Sequence, residues 1–347
     1  MATTFNFTVR AEDDQGAFAD RDFSMTVRNT MVDRYMVIDA TDAYTSPDMV
    51  TWTKRIGQGG AHLMYGGGKW LIPIVYNGLQ YRLSTDGVNF TTHTIPTTGY
   101  GTTVLLHCPV WNNDRWWVAF QGQETGVYYN IVLNSIDGVN WSTVARTPAT
   151  NNTFAAQTLP TFSEGKAFYT SGNTSKYCVV EGDTITSVTP TLPAHSVGTP
   201  FYTAPMKIND LWVMVVYGTS GTMSLYSTDR NVWNAGPVLA NGNLAARRLD
   251  SISYHNGKLI CSGFLSSVNN FSLNCVASID GKTWTNFTPV SSAGAVKDTR
   301  QYVISTKGKI YLVNSTNKYS SSNLGETWTN ETATFPSVSI TGFATIQ

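Results

Sequence analysis

Ser135-Ile-Asp-Gly-Val-Asn-Trp141 occurs three times with small changes, as itself, as Ser278-Ile-Asp-Gly-Lys-Thr-Trp284 and as Ser84-Thr-Asp-Gly-Val-Asn-Phe90. Worn copies are Ser46-Pro-Asp-Met-Val-Thr-Trp52, Ser227-Thr-Asp-Arg-Asn-Val-Trp233 and Ser321-Ser-Asn-Leu-Gly-Glu-Thr-Trp328. The closing aromatics at 52, 90, 141, 233, 284 and 328 stand 38, 51, 92, 51 and 44 residues apart. A fixed period of this size marks a repeat architecture, and the double-length step marks a unit whose signature is lost. That unit falls near residue 185, where Tyr177-Cys-Val-Val and Thr184-Ile-Thr flank the turn Glu181-Gly-Asp183.

Each unit reads as an apolar strand, a Gly/Asn turn, a second apolar strand, a polar loop, a third strand ending in the Ser-x-Asp turn, and a short fourth strand. The clearest unit predicts strands at Val104–Val110, Arg115–Gln121, Tyr128–Ser135 and Asn140–Ala145. Four strands per roughly 45 residues is the size of a propeller blade. Residues 31–52 supply only three strands, and Ile340–Ile346 resembles the innermost strands elsewhere. The reading is therefore an all-β, seven-bladed β-propeller over residues 31–347, with four-stranded blades and the two chain ends sharing one blade, which leaves no free edge. Residues 1–30 stand apart as an N-terminal β-hairpin, with Phe5, Phe7, Val9, Phe23, Met25 and Val27 along one face.

Composition agrees. Of 347 residues 41% are hydrophobic and only 13% charged, about half the usual share, and there are six Glu. Lys+Arg and Asp+Glu both number 23, and without a clustered basic excess nucleic-acid binding is not expected. The longest apolar run, Trp70–Tyr76, is far short of the roughly 20 residues of a membrane-spanning helix. The N-terminus lacks the basic and apolar regions of a signal peptide. Cys108, Cys178, Cys261 and Cys275 are scattered singly, so neither a metal site nor a cofactor is expected.

The repeated turns resemble the Asp-boxes, or BNR repeats, of sialidase-like β-propellers. The resemblance implies that Ser84, Asp86, Ser135, Asp137, Ser227, Asp229, Ser278 and Asp280 brace turns away from the functional face, and that Trp141, Trp233, Trp284 and Trp328 wedge between blades. A sialidase also needs three arginines, a Tyr nucleophile with a Glu partner, and an Asp acid. The rim expected to carry a ligand holds Arg55, Tyr76, Tyr128, Arg247, Asp250, Phe271, Arg300 and Tyr302, but Glu124 is its only Glu and lies to one side. No catalytic residue is assigned and the chain is read as a non-enzyme.

The first thirty residues resemble the last strands of Ig-like modules in bacteriophage tail and virion proteins. That resemblance implies a virion structural protein assembled in a host cytoplasm, in a tail, fibre, baseplate or capsid-associated position, its hairpin docked to other virion proteins and its propeller able to bind host cell-surface carbohydrate. A sialidase-like glycan-cleaving enzyme and a soluble lectin are the alternatives.

Overall fold

The computed structural model describes residues 2–12, 14–28, 35–74, 79–97, 99–106, 109–112, 114–149, 161–170, 177–182, 184–194, 201–218, 221–241, 247–255, 257–265, 273–287, 302–306, 309–313, 318–323, 327–338 and 340–345. Beyond a two-stranded ribbon, the described strands form five four-stranded and two five-stranded antiparallel sheets. Sheet 1 joins the C-terminal Gly342–Thr345 to Tyr35–Ile38, Ala43–Ser46 and Thr53–Arg55, with Val37 opposite Phe343. Sheet 2 is Met64–Gly66, Lys69–Pro73, Gln80–Ser84 and Thr91–Thr94. Sheet 3 comprises Thr102–Leu106, Val110–Asn112, Arg115–Glu124, Val127–Ser135 and Ser142–Ala149. Sheet 4 is Thr161–Ser163, Lys166–Thr170, Tyr177–Glu181 and Thr184–Val188. Sheet 5 holds Phe201–Tyr202, Met206–Ile208, Leu211–Gly218, Gly221–Ser227 and Asn234–Asn241. Sheet 6 is Arg247–His255, Lys258–Leu265, Leu273–Ser278 and Thr285–Phe287, and sheet 7 is Tyr302–Thr306, Lys309–Val313, Lys318–Ser321 and Thr329–Asn330.

Each sheet touches the next in chain order, and the first strand of sheet 7 returns to Gly342–Thr345 of sheet 1. The sheets thus follow one another around a ring, and apolar side chains fill the seams between them. Between sheets 2 and 3 lie Leu71, Tyr81 and Leu83 against Trp116, Val118, Phe120 and Ile131. Between sheets 7 and 1, Tyr311 and Val313 meet Val37, Met49 and Phe343. Both faces of a sheet are buried this way, so Trp116 and Val118 serve one seam while Ala119 serves the next.

Three expectations about strands are corrected. The blades are not uniformly four-stranded, because in sheets 3 and 5 the innermost strand is split in two, both pieces pairing with the same neighbour. The C-terminal strand is Gly342–Thr345, shorter than Ile340–Ile346. In sheet 3 the middle strands run to Glu124 and from Val127, so the region read as a loop is a ladder closed by Thr125-Gly126. Their φ values of 47° and 83° fit the turn whose twist matches a right-handed ladder.

Five sheets carry the Ser-x-Asp turn between third and fourth strands, sheet 7 carries a Ser-x-Asn version, and sheet 4 joins these strands without either. At Ser135 the hydroxyl donates to Asp137 Oδ1 at 2.9 Å and accepts the Gly138 N–H at 2.9 Å, while Oδ1 accepts the N–H groups of Val139 and Asn140 at 2.8 Å each. The bonds recur at Ser84/Asp86, Ser46/Asp48, Ser227/Asp229 and Ser278/Asp280. The N–H groups of Asn140 and Val139 hold the Asp137 carboxyl well below the usual range. Against the raising effect of partial burial, those of Thr283 and Lys282 hold Asp280 down at about 2. The residue after the Asp is left-handed in every such turn: Gly87, Gly138 and Gly281, but also Met49 and Arg230. In the worn copy Asn323 replaces the Asp and still accepts from Ser321 and the Thr327 N–H.

The geometry also reveals a staple between neighbouring sheets. Three residues before the turn's Ser, Tyr81 of sheet 2 donates its hydroxyl to the Gly138 carbonyl of sheet 3 at 2.5 Å. Tyr177 of sheet 4 does the same to the Arg230 carbonyl of sheet 5 at 3.0 Å. In sheet 7 the slot holds Lys318, whose ammonium donates to the Met49 carbonyl of sheet 1 at 2.6 Å and to Thr334 Oγ1 at 2.8 Å, and sits 3.2 Å from Glu331 Oε2. Trp141 reaches Tyr81 Oη across the seam at 3.0 Å, whereas Trp233 and Trp52 donate to carbonyls of their own turns.

The ribbon pairs Ala2–Glu12 with Phe18–Arg28, placing Phe5 opposite Met25, Phe7 opposite Phe23 and Val27 opposite Thr3. Phe7 and Phe23 stack at 5.7 Å and are 47% and 43% exposed. Arg10 and Asp20 pair at 2.7 Å beside Phe18.

Candidate functional site

Antiparallel pairing puts the Ser-x-Asp turns on one side of the ring, and the loops between second and third strands, with the sheet-to-sheet connections, on the other, the upper side. Of the rim residues read from the sequence, Arg247 and Tyr302 begin the innermost strands of sheets 6 and 7, which are neighbours, and Asp250 marks a bulge in the first of these. Arg55 is elsewhere. It ends the outermost strand of sheet 1 and its Nε donates to Thr45 Oγ1 at 3.2 Å, so it does not lie on an innermost strand. Tyr128 is half-buried near the tip of the sheet 3 hairpin, opposite Gln123. Tyr76, Phe271 and Arg300 lie outside the described residues.

The sheet 3 hairpin assembles a group that the sequence reading did not. Glu124, Tyr129 and Arg146 fall on one face of the sheet by register, since Glu124 pairs with Val127, Tyr129 with Gly122 and Pro148, and Arg146 with Ile131. This face looks toward sheet 2, where Tyr100 arrives in the connection to the innermost strand and packs edge-on against Phe120 at 5.6 Å. The Arg146 guanidinium lies over the Tyr129 ring at 4.2 Å and 6.0 Å from the Tyr100 centroid, and Nη2 donates to Glu124 Oε2. Tyr100 Oη shares a hydrogen bond with Thr143 Oγ1. The side chains of Arg146 and Glu124 remain 34% and 46% exposed. The outcome is an oriented carboxylate–guanidinium pair on an aromatic floor, open to solvent. It presents hydrogen-bond acceptors and donors side by side, and its formal charges cancel.

Arg146 was missed because the fourth strand was expected to end at Ala145, whereas the strand runs to Ala149. The one available signal was Glu124 beside a two-residue turn, which places a carboxylate at a hairpin tip rather than in a loose loop.

Other polar clusters are spent internally. A cleft of about 190 Å³ between sheet 4 and the Ser227–Trp233 turn is lined by Lys166, Tyr177, Glu181, Thr186, Asp229 and Arg230. There Lys166 pairs with Glu181 at 2.9 Å, Asp229 holds its own turn, and Arg230 lies over Trp212 at 4.8 Å and Phe168 at 5.7 Å. Among the described residues no group of His, Cys, Asp and Glu is placed to hold a metal ion, and no helix is long and apolar enough to cross a membrane.

No protein-family model and no curated protein matches the chain. Among solved structures, a putative 6-phosphogluconolactonase from Bacteroides uniformis is similar at 11% identity and a TM-score of 0.54, covering 91% of this chain and 100% of that one. A Bombyx mori GH32 β-fructofuranosidase is similar at 12% identity and a TM-score of 0.37, covering 62% and 55%, and a Coprinopsis cinerea GH62 α-L-arabinofuranosidase at 10% and 0.35, covering 63% and 85%. The chain spans about half the length of the first of these structures matched. Such identities show the fold alone.

These findings correct the expectations of family and role. With no family-level match, membership of the Asp-box sialidase-like family and kinship of the ribbon with Ig-like virion modules are withdrawn. The Ser-x-Asp turn is a local device that its own hydrogen bonds explain. The virion reading and its non-enzymatic corollary rested on that kinship and are withdrawn with it.

Proposed function

We propose that this chain is a carbohydrate-active propeller whose upper face takes a saccharide at the sheet 3 hairpin. The observation that carries the reading is the Arg146–Glu124 pair over Tyr129. Sugars present hydroxyls that both donate and accept, together with apolar C–H faces, and binding sites for them combine a few oriented polar groups with aromatic walls. Tyr100 and Tyr129 supply the wall, and the ion pair supplies both kinds of hydrogen-bonding group. Exposure of the pair keeps its cost low while the stacked ring fixes its geometry.

Cleavage is the second reading, favoured by Glu124, a carboxylate held in one orientation by Arg146. Hydrolysis of a glycosidic bond ordinarily uses two carboxyl groups flanking that bond, so Glu124 would need a partner. One experiment addresses both: the purified chain is titrated with neutral plant, yeast and bacterial polysaccharides by affinity electrophoresis while reducing ends are assayed. Retardation that Arg146→Ala abolishes supports the site. Release of reducing ends that Glu124→Ala abolishes extends it to cleavage. Retardation unchanged in Arg146→Ala contradicts the placement.

A further inference from the structure

Resting on that reading, we infer that the sheet 3 site selects neutral saccharides bearing adjacent hydroxyls and rejects acidic ones, because Glu124 neutralises Arg146. An unpaired arginine on an exposed rim would favour a uronate or other carboxylate sugar, since guanidinium forms paired bonds with carboxylates. Here Arg146 already gives Nη2 to Glu124 Oε2, and its guanidinium carbon lies over the Tyr129 ring at 4.2 Å. An incoming carboxylate would have to displace Glu124 or stand beside it as a like charge. Tyr100 and Tyr129 add hydroxyls and ring faces but no positive charge.

For a neutral sugar the same arrangement is complementary. Glu124 Oε1 has no hydrogen bond to Arg146, which is made through Oε2. The remaining guanidinium N–H groups stand beside that carboxylate. Two neighbouring hydroxyls, one donating to the carboxylate and one accepting from the guanidinium, match this donor–acceptor pair as no single anion can. Glu124 therefore acts as a specificity-determining residue through the charge it cancels as well as the bond it makes.

Saturation-transfer NMR and calorimetry with glucohexaose, mannohexaose and hexagalacturonate test this on the full chain and on Glu124→Gln. The expected result is that the wild type prefers a neutral hexasaccharide by about tenfold or more, equivalent to about 1.4 kcal/mol, and that Glu124→Gln shifts the preference toward hexagalacturonate by a similar factor. A wild type that prefers hexagalacturonate, or a Glu124→Gln variant with unchanged preference, overturns the inference while leaving saccharide binding intact. Failure of the wild type to bind all three probes overturns the saccharide reading itself, and this inference with it.

Discussion

Two ion pairs of similar chemistry occupy opposite situations in this ring. Lys318–Glu331 lies within sheet 7 at its seam with sheet 1, the lysine wholly buried and its ammonium shared among the Met49 carbonyl of sheet 1, Thr334 and Glu331. Arg146–Glu124 sits on the sheet 3 hairpin, over a third exposed on each side chain or close to it. The comparison teaches that charge alone does not mark a site. A buried cation whose donors are saturated by its own chain holds structure, whereas an exposed guanidinium oriented by one carboxylate and one ring keeps hydrogen-bonding capacity for something else.

The first way to break the comparison is Lys318→Met. It leaves the Met49 carbonyl without its donor inside the seam and removes one of the cations beside Glu331, which keeps Ser320 and Lys309, and losing charge-assisted bonds of this kind costs about 2–3 kcal/mol. Denaturant unfolding should show this loss, with partial recovery in Lys318→Met/Glu331→Gln, while saccharide binding by the folded protein stays unchanged. Tyr81→Phe comes next. It removes the phenolic version of the same staple, losing the bonds to Gly138 and Trp141, and should cost about 1–2 kcal/mol. Equal costs for the two changes would mean that the ammonium and the phenol fill the slot equivalently. Arg146→Ala should cost less than about 1 kcal/mol of stability, as expected for an exposed pair, while abolishing binding.

The smallest effect is in pH. Burial holds Lys318 below the usual lysine range despite Glu331, so the folded chain binds its proton less readily than the unfolded one. Stability from this residue therefore rises as pH climbs toward the unfolded lysine value of about 10.5. Partial burial raises Glu331, but Ser320 and Lys318 outweigh it and hold its pKa down, so its contribution is present above the unfolded carboxylate range and lost in acid. The turn carboxylates Asp137 and Asp280 share that sign. Thermal scans of wild type against Lys318→Met should diverge on the alkaline side, and Asp137→Ala should flatten the acid limb.

The sequence announces what is local. Ser-x-Asp followed by a left-handed residue is a turn whose bonds lie within a few residues, so its five positions and the strands beside them could be read directly. The split inner strands were missed although Pro109 and Pro205, which have no N–H to give a ladder, lie at the breaks. Gly66 could not be read directly, since a Cβ there would lie 2.0 Å from Trp111 of the next sheet. Tyr100, Tyr129 and Arg146 belong to three separate segments, and only the register of sheet 3 and its seam with sheet 2 bring them together. The role of Lys318 shows only in the seam, where it fills the slot that tyrosine fills in two others. Most of the rim expected from the sequence was a list of loop residues, and Arg55 shows the weakness of that list, since radial position within a sheet matters as much as the end of the strand.

Calorimetric titration of the wild type and of Arg146→Ala with the neutral hexasaccharide that binds best tests the account most directly. The expected result is a saturable wild-type isotherm, its affinity reduced by about tenfold or more in Arg146→Ala with the unfolding midpoint nearly unchanged. An isotherm of equal affinity in the two proteins would contradict it.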